Sequence, residues 1–187
     1  MLLSFVERLQ NLDPDGKLIG TGRDRYLALA VPARQAEGTQ TAVFIIRVYT
    51  GNPRNVPGPY NTAVLVDVFR VRTERGGDVE PGVAKDAWKI QDGTGGLIEL
   101  SIQYRRGTLS RSATDLKFTS PVQPDLVRIY RTQAGTDTVR SVSLEVDRVE
   151  SIDFQARIAE LRELFDGSEQ LLSITDSPWS MREIFRP

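Results

Sequence analysis

Three observations predict a mainly β fold, an antiparallel barrel or sandwich of about eight strands with an N-terminal helix and C-terminal helices. The first is Gly95 to Tyr104 (GGLIELSIQY). Ile98, Leu100, Ile102 and Tyr104 fall on one side of an extended chain, and Glu99, Ser101, Gln103 and Arg105 on the other, which is the period of a half-buried strand. The second is a series of short runs rich in β-branched residues at close spacing, with no helical period among them, which disfavours helix-crossover folds. The third is a change of period after Ser151, where Phe154, Ile158, Leu161 and Phe165 recur as a helical stripe.

Taken in order, Leu2, Phe5, Val6 and Leu9 recur at i, i+3, i+4 and i+7, which predicts a short amphipathic helix over Leu2–Leu12. Asp13-Pro14-Asp15-Gly16 stops it and turns the chain; it resembles the start of a calcium loop but lacks the later ligands. Gly20-Thr21-Gly22 resembles the start of a dinucleotide fingerprint, yet the third glycine is missing and a strand follows where a helix is required. Strands are predicted at Tyr26–Val31, Thr41–Thr50 and Thr62–Thr73. In the last, Asp67 and Arg70 differ in parity, so a bulge or an edge position is expected. The proline-rich Gly51–Asn61 reads as an ordered surface loop exposing Arg54 and Tyr60.

A short strand at Ala87–Gln91 leads through the turn residues Asp92-Gly93-Thr94-Gly95-Gly96 into the central strand. Asp115–Thr119, Asp125–Thr132 and Thr138–Asp147 complete the set. The inward face is expected to bury Ile98, Leu100, Ile102, Leu116, Phe118, Val142, Leu144 and Val146. From Ser151 the helical stripe is supported by Asp153–Arg157 and Arg162–Asp166 at i, i+4, with Gly167 as its end. Ser177-Pro178 opens a second short helix carrying Trp179, Met181, Ile184 and Phe185. The expected division is a β domain with its leading helix over 1–150 and a helical appendage over 151–187.

Composition narrows the chemistry. The 187 residues suit one domain with an appendage, and 40% hydrophobic with 26% charged is the balance of a globular chain. Cysteine and histidine are both absent, which removes disulfides, thiolate ligands, cysteine nucleophiles and the commonest general base and metal ligand. Carboxylate, tyrosine and lysine chemistry stays open. The net charge of −1 exerts no global pull on nucleic acid, so direct nucleic-acid binding is not expected. No apolar run of membrane-spanning length occurs, so no membrane insertion is expected. Glu7 and Arg8 interrupt the N-terminus where a signal peptide would stay apolar, so a cytoplasmic location, or one within a soluble assembly, is expected rather than secretion by signal peptide.

Candidate sites are few. Of the 24 basic residues only Lys17, Lys85, Lys89 and Lys117 are lysine; the arginine excess suits interfaces and anionic ligands, or reflects a GC-rich genome. Arg105-Arg106 with Arg111, and Arg23-Asp24-Arg25, are basic clusters able to hold a carboxylate or phosphate, or solvated tips. No carboxylate pair has the spacing of an acid–base couple, no serine sits in a nucleophile elbow, and no catalytic residue or metal site is assigned. Exposed apolar tails mark partner sites, and aromatics, methionine and arginine are enriched there. Phe154, Ile158, Leu161, Phe165, Trp179, Met181, Arg182, Ile184 and Phe185 are therefore the candidate partner-binding residues.

Three stretches carry a family likeness. They are Phe5-Val6-Glu7 with Arg25-Tyr26-Leu27-Ala28, then Val83 to Tyr104, then Phe118-Thr119-Ser120-Pro121 followed by Arg128 and Arg131. Over residues 1–150 the order resembles the CpcS/CpeS-type phycobiliprotein lyases, whose runs include F-x-S-P-x-L-R-x-R; here two extra residues split that run. The resemblance implies a lipocalin-like barrel with a leading helix, and it implies that Arg25, Arg128 and Arg131 hold the propionates of a bilin. Two functional readings follow. One is a non-catalytic structural or interaction subunit of a larger assembly, of virion, phage-tail or pigment-complex type, needing no cofactor and engaging protein partners or a second copy. The alternative is a small-ligand-binding lipocalin-like barrel acting as a bilin lyase-like chaperone.

Overall fold

The computed structural model describes residues 1–9, 12, 15–18, 24–34, 41–53, 63–74, 79–107, 109–120, 123–140, 145–154, 163, 165, 168 and 170–185. The protein is mainly β. Its described strands are β1 (Leu2–Arg8), β2 (Asp24–Arg34), β3 (Thr41–Thr50), β4 (Ala63–Leu65), β5 (Asp67–Thr73), β6 (Val83–Asp92), β7 (Gly95–Arg105), β8 (Leu109–Ser120), β9 (Gln123–Arg140), β10 (Arg148–Phe154) and β11 (Ser173–Phe185). In parts of β8, β9 and β11 only the backbone is described. One sheet runs β1-β2-β3-β8-β9-β11 with β4 also on β3; the other runs β10-β7-β6-β5. Among the described residues neither path returns to its first strand, so no barrel closes, and no helix occurs. No helix of the described residues is long and apolar enough to cross a membrane.

The chain divides into two compact units. The first comprises Met1–Val68, Thr114–Arg131 and Arg182–Pro187; the second comprises Phe69–Ala113 and Thr132–Met181.

In the first unit β2 is the centre. Leu27, Ala28, Leu29 and Ala30 are all buried, so side chains on both faces of the strand are removed from water, while β1 and β3 pair with its two edges. Ala28, Ala30, Ile45 and Val48 form one cluster, with Tyr26, Val43 and Phe118 packed against it. Pro32 lies past Ala30, the last residue opposite β1, where β2 is an edge and a missing N–H is tolerated. On its other side β3 takes two short parallel neighbours, β8 at Val43 and Phe44 and β4 at Val48–Thr50. Residues 51–62 lie between β3 and β4, about the dozen that a parallel connection needs.

The N-terminal helix expected over Leu2–Leu12 is a strand instead. Leu2 to Arg8 pair residue by residue with Ala30 to Asp24. Over seven residues the helical and extended periods both fit this sequence, and the ladder offered by β2 decides between them. The turn read as a helix stop is a hairpin turn: Gly16 takes φ 80° and Leu12 bridges Leu18.

In the second unit β7 is paired on both sides, with β6 and β10. Ile98, Leu100, Ile102 and Tyr104 are buried, and Glu99 and Arg105 are exposed, as the alternation predicts; Leu97, which has the parity of Glu99, is buried as well. The β6–β7 turn forms as read from its residues. Asp92 Oδ1 accepts from Thr94 N at 2.8 Å and from the Thr94 hydroxyl at 2.7 Å. Gly95, at φ 128°, holds a backbone that a side chain would strain.

The remaining differences have local causes. Thr62–Thr73, read as one strand, divides at buried Val66, whose N–H donates to Thr50 O at 3.0 Å. β4 stays in the first sheet and β5 becomes the edge of the other. Thr138–Asp147 is no single strand: β9 continues to Arg140, and 145–147 form a turn before β10. Asp147 is buried rather than outward, because its carboxylate accepts from Arg105 N at 2.7 Å and closes that turn. The second C-terminal helix is corrected to β11, in which Ser177-Pro178 is not a cap; pairing in the sheet outweighs a two-residue helix signal. The first is corrected at its start, because Phe154 ends β10 opposite Ile98. Ile158 and Leu161 lie outside the described residues, as do Val142, Leu144, Arg54 and Tyr60 and the side chain of Leu116.

Leu100 packs between Trp88 on β6 and Ile152 on β10, its register partners. Leu100→Ala is expected to cost about 2–5 kcal/mol in chemical denaturation, the range for large-to-small core changes. A loss below about 1 kcal/mol would place the buried face on the other side of β7.

Candidate functional site

The buried face of the second unit contains a charged network. β5 alternates with Phe69 and Val71 outward and Arg70 and Arg72 inward. Both arginines converge on Asp86 of β6, whose side chain is 3% exposed. Arg70 donates through Nε to Oδ1 at 3.2 Å and through Nη2 to Oδ2 at 2.7 Å. Arg72 donates to the same two oxygens at 3.2 and 3.4 Å. The Tyr104 hydroxyl adds a bond to Oδ2 at 3.2 Å. The guanidiniums also lie over rings, Arg70 above Trp88 at 5.1 Å and Arg72 above Tyr104 at 5.9 Å, a favourable cation–π arrangement. Burial, and then the neighbouring Asp86 charge, push the Tyr104 hydroxyl well above the usual tyrosine range. It therefore stays protonated and serves as a donor. The network holds an edge strand by its inward charges, a device that also discourages edge-to-edge pairing.

On the opposite face of the same sheet lies a cleft of about 500 Å³ lined by Glu80, Val83, Lys85, Gln103, Arg105, Glu145, Val146 and Arg148. Its floor follows from register: Lys85 and Arg148 are both Cα partners of Gln103, so the three side chains form one row across β6, β7 and β10. Lys85 and Arg148 share the Glu150 carboxylate at 3.5 Å each, and Ser101 donates to its other oxygen at 3.0 Å. Arg148 also donates to the Glu145 carbonyl at 2.8 Å, which ties the 145–147 turn to β10.

In the first unit Asp24 is the unusual residue. It is 1% exposed, and neither carboxylate oxygen has a hydrogen-bond partner among the described residues. Arg8 is its Cα partner across β1–β2, but the Arg8 guanidinium donates to the Tyr26 hydroxyl at 2.8 Å and stacks on that ring. Thr50 lies near, but its hydroxyl donates to the Arg25 carbonyl at 3.3 Å. Burial raises the Asp24 carboxyl above the ordinary aspartate range, opposed by the Arg8 charge and the Thr50 hydroxyl. The turn that continues this hairpin exposes three leucines, Leu9 at 68%, Leu12 at 50% and Leu18 at 56%.

The residues singled out from sequence fall in several places. Arg25 pairs across the strands with Glu7, Nη2 to Oε1 at 2.7 Å, and donates to Val68 O at 3.3 Å. Arg131 pairs with Asp115 through two bonds at 3.1 and 3.2 Å. Arg128 is on β9 with its side chain outside the described part. Phe154 is 2% exposed and stacks on Phe165 at 5.0 Å, so it belongs to its own core rather than to an open stripe. Trp179, Met181, Arg182, Ile184 and Phe185 all lie in β11, where only the backbone is described. Arg105 ends β7 at the cleft and Arg106 reaches Glu74 at 3.4 Å; Arg111 is on β8. Sequence reading missed Asp86 and the Lys85–Arg148 row, and it placed Asp24 in a basic cluster or solvated tip when that residue is buried, because each depends on a pairing register that spacing along the chain does not encode.

Among the described residues no group of His, Cys, Asp or Glu is arranged to hold a metal ion. Comparison with family models, with curated proteins and with solved structures finds no match to this chain.

Two expectations follow from these carboxylates. Asp86→Ala strips two partly buried guanidiniums of their counter-charge and is expected to cost about 3–5 kcal/mol in denaturant unfolding. Asp24 has a raised folded-state pKa, so its contribution to stability is present below the ordinary aspartate pKa and is lost as pH rises through the folded value. Asp24→Asn keeps the shape and removes the buried charge, so it is expected to melt above the parent near neutral pH, by about 2–4 °C for each kcal/mol regained. The gain should shrink as the pH falls toward the ordinary aspartate range, as read by circular dichroism melts across pH.

Proposed function

We propose that the chain is a non-catalytic structural and interaction subunit of a larger assembly, of the virion, phage-tail or pigment-complex type. The observation that carries this reading is the β1–β2 turn, where Leu9, Leu12 and Leu18 stand open to solvent within ten residues of sequence. Apolar side chains gathered at one exposed tip mark a surface that another chain covers. The Trp179–Phe185 run remains part of the proposal as a terminal strand instead of a helix. β11 ends its sheet path among the described residues, and a strand in that position can pair with a second chain.

The ligand-barrel alternative asks more of the molecule. Arg25 and Arg131 would have to exchange Glu7 and Asp115 for the acid groups of a bilin. The open sheet path would also have to enclose a cavity.

Size-exclusion chromatography with light scattering, followed by mass spectrometry of copurifying protein, tests the assembly reading. The parent is expected to associate, with itself or with a defined partner. Leu12→Asp combined with Leu18→Asp is expected to weaken that association about ten-fold or more while the fold is kept, as replacing central apolar interface residues does. Unchanged association in the double variant would remove the hairpin tip from the proposal.

A further inference from the structure

We infer that β1 pairs edge to edge with β1 of a second copy of this chain, antiparallel across a two-fold axis at Phe5, and so joins the first sheets of two molecules. The inference rests on the assembly reading and names its partner. It starts from how the sheet edges are protected. An open edge offers unpaired N–H and C=O groups to any other strand, and proteins blunt such edges by shortness, inward charges, bulges or proline. Among the described residues β4 has only three residues, β5 turns Arg70 and Arg72 inward, β10 has a bulge between Val149 and Ser151, and β11 contains Pro178. β1 has none of these. It ends its sheet path, its register with β2 is unbroken over all seven residues, and it contains no proline, glycine or lysine. Its two charges are engaged within the molecule, Glu7 by Arg25 and Arg8 by Tyr26.

The residues of β1 select the second copy and the register. Antiparallel strands related by a two-fold axis normal to the sheet keep the same faces, so residues of like parity stand opposite each other. An axis at Phe5 pairs all seven residues: Leu2 with Arg8 of the second copy, Leu3 with Glu7, Ser4 with Val6, and Phe5 with its own copy. No charge then meets a like charge, which an axis at Glu7 or Arg8 would impose, and the central rung is an aromatic pair. The same register sets Met1 of each molecule opposite Leu9 of the other. Those two side chains, 45% and 68% exposed, are apolar and stand at opposite ends of β1, and one pairing covers both. Leu3 and Phe5 stand opposite the buried Leu29 and Leu27, so the new rungs extend an apolar row that β2 already carries. Leu9 also begins the exposed tip that continues with Leu12 and Leu18, which makes the paired edge continuous with that surface. An edge pair of seven residues with apolar ends is a small interface, so a dissociation constant on the order of 10–100 µM is expected.

The first test needs no variant. Hydrogen exchange of the full chain is followed at about 1 µM and about 500 µM, either side of the expected constant. Exchange within Leu2–Arg8 is expected to slow at the higher concentration, as the outer N–H groups of β1 gain partners. In light scattering over the same range, Ser4→Lys places a charge at an exposed position of the edge and is expected to weaken self-association about ten-fold or more. Single cysteines then report the register, because the chain has none of its own. Opposed residues hold their Cα atoms about 4.5–5.5 Å apart, within disulfide reach. Under a mild oxidant, Ser4→Cys mixed with Val6→Cys is therefore expected to cross-link faster than Ser4→Cys alone. Faster cross-linking of Ser4→Cys alone would move the axis off Phe5 and overturn the register. A parent that self-associates with unchanged exchange in β1, or a folded Ser4→Lys variant that self-associates as the parent does, would overturn the inference and leave the assembly reading standing. So would a parent that binds a different protein but stays monomeric by itself. A parent that stays monomeric and copurifies with no partner would overturn both.

Discussion

A strand paired on both edges can send its side chains only above or below the sheet, and β7 is held in this way by β6 and β10. The rest of the second unit depends on that constraint. On one face Leu100 and Ile102 are buried, and Tyr104 completes the ring of donors around Asp86. On the other face Gln103 and Arg105 become the floor of an open cleft. Moving the register by one residue would exchange the two faces, burying Glu99, Gln103 and Arg105 while exposing the isoleucines. The apolar alternation and the cleft are thus two consequences of one pairing.

Two buried aspartates show how the surroundings set the worth of a charge. Asp86 receives donors from Arg70, Arg72 and Tyr104, and its charge is met. Asp24 is equally removed from water, yet the guanidinium opposite it is turned to Tyr26. The first carboxylate organises an edge strand; the second is held in a place where its neutral form is favoured. Asp24 is the first residue of β2 and pairs there with Arg8 of β1, so its burial is imposed at the end of the β1–β2 ladder.

Edges shape the remaining surface. β5 turns its arginines in and Phe69 and Val71 out, the reverse of the usual pattern for a half-buried strand. That inversion is possible because Asp86 and two rings supply what the arginines require. Cross-strand pairing also matches charge elsewhere, as with Lys89 and Glu99, which are register partners 3.1 Å apart. Such exposed pairs contribute little to stability and mainly keep the face soluble and in register.

The β class, the bounds of β3, the alternation of β7 and the turn that enters it were legible in the residues alone, because period two and turn chemistry are local properties written along the chain. The sequence could not decide between helix and strand for Leu2–Arg8 or for Ser177–Phe185. Both segments are short and fit more than one period, and only a neighbouring strand selects the extended form. Nor could it bring Arg70, Arg72, Asp86 and Tyr104 to one carboxylate, or Lys85, Gln103 and Arg148 into one row. Those groupings exist only once registers between distant strands are set, and register is decided by burying one complete face at a time.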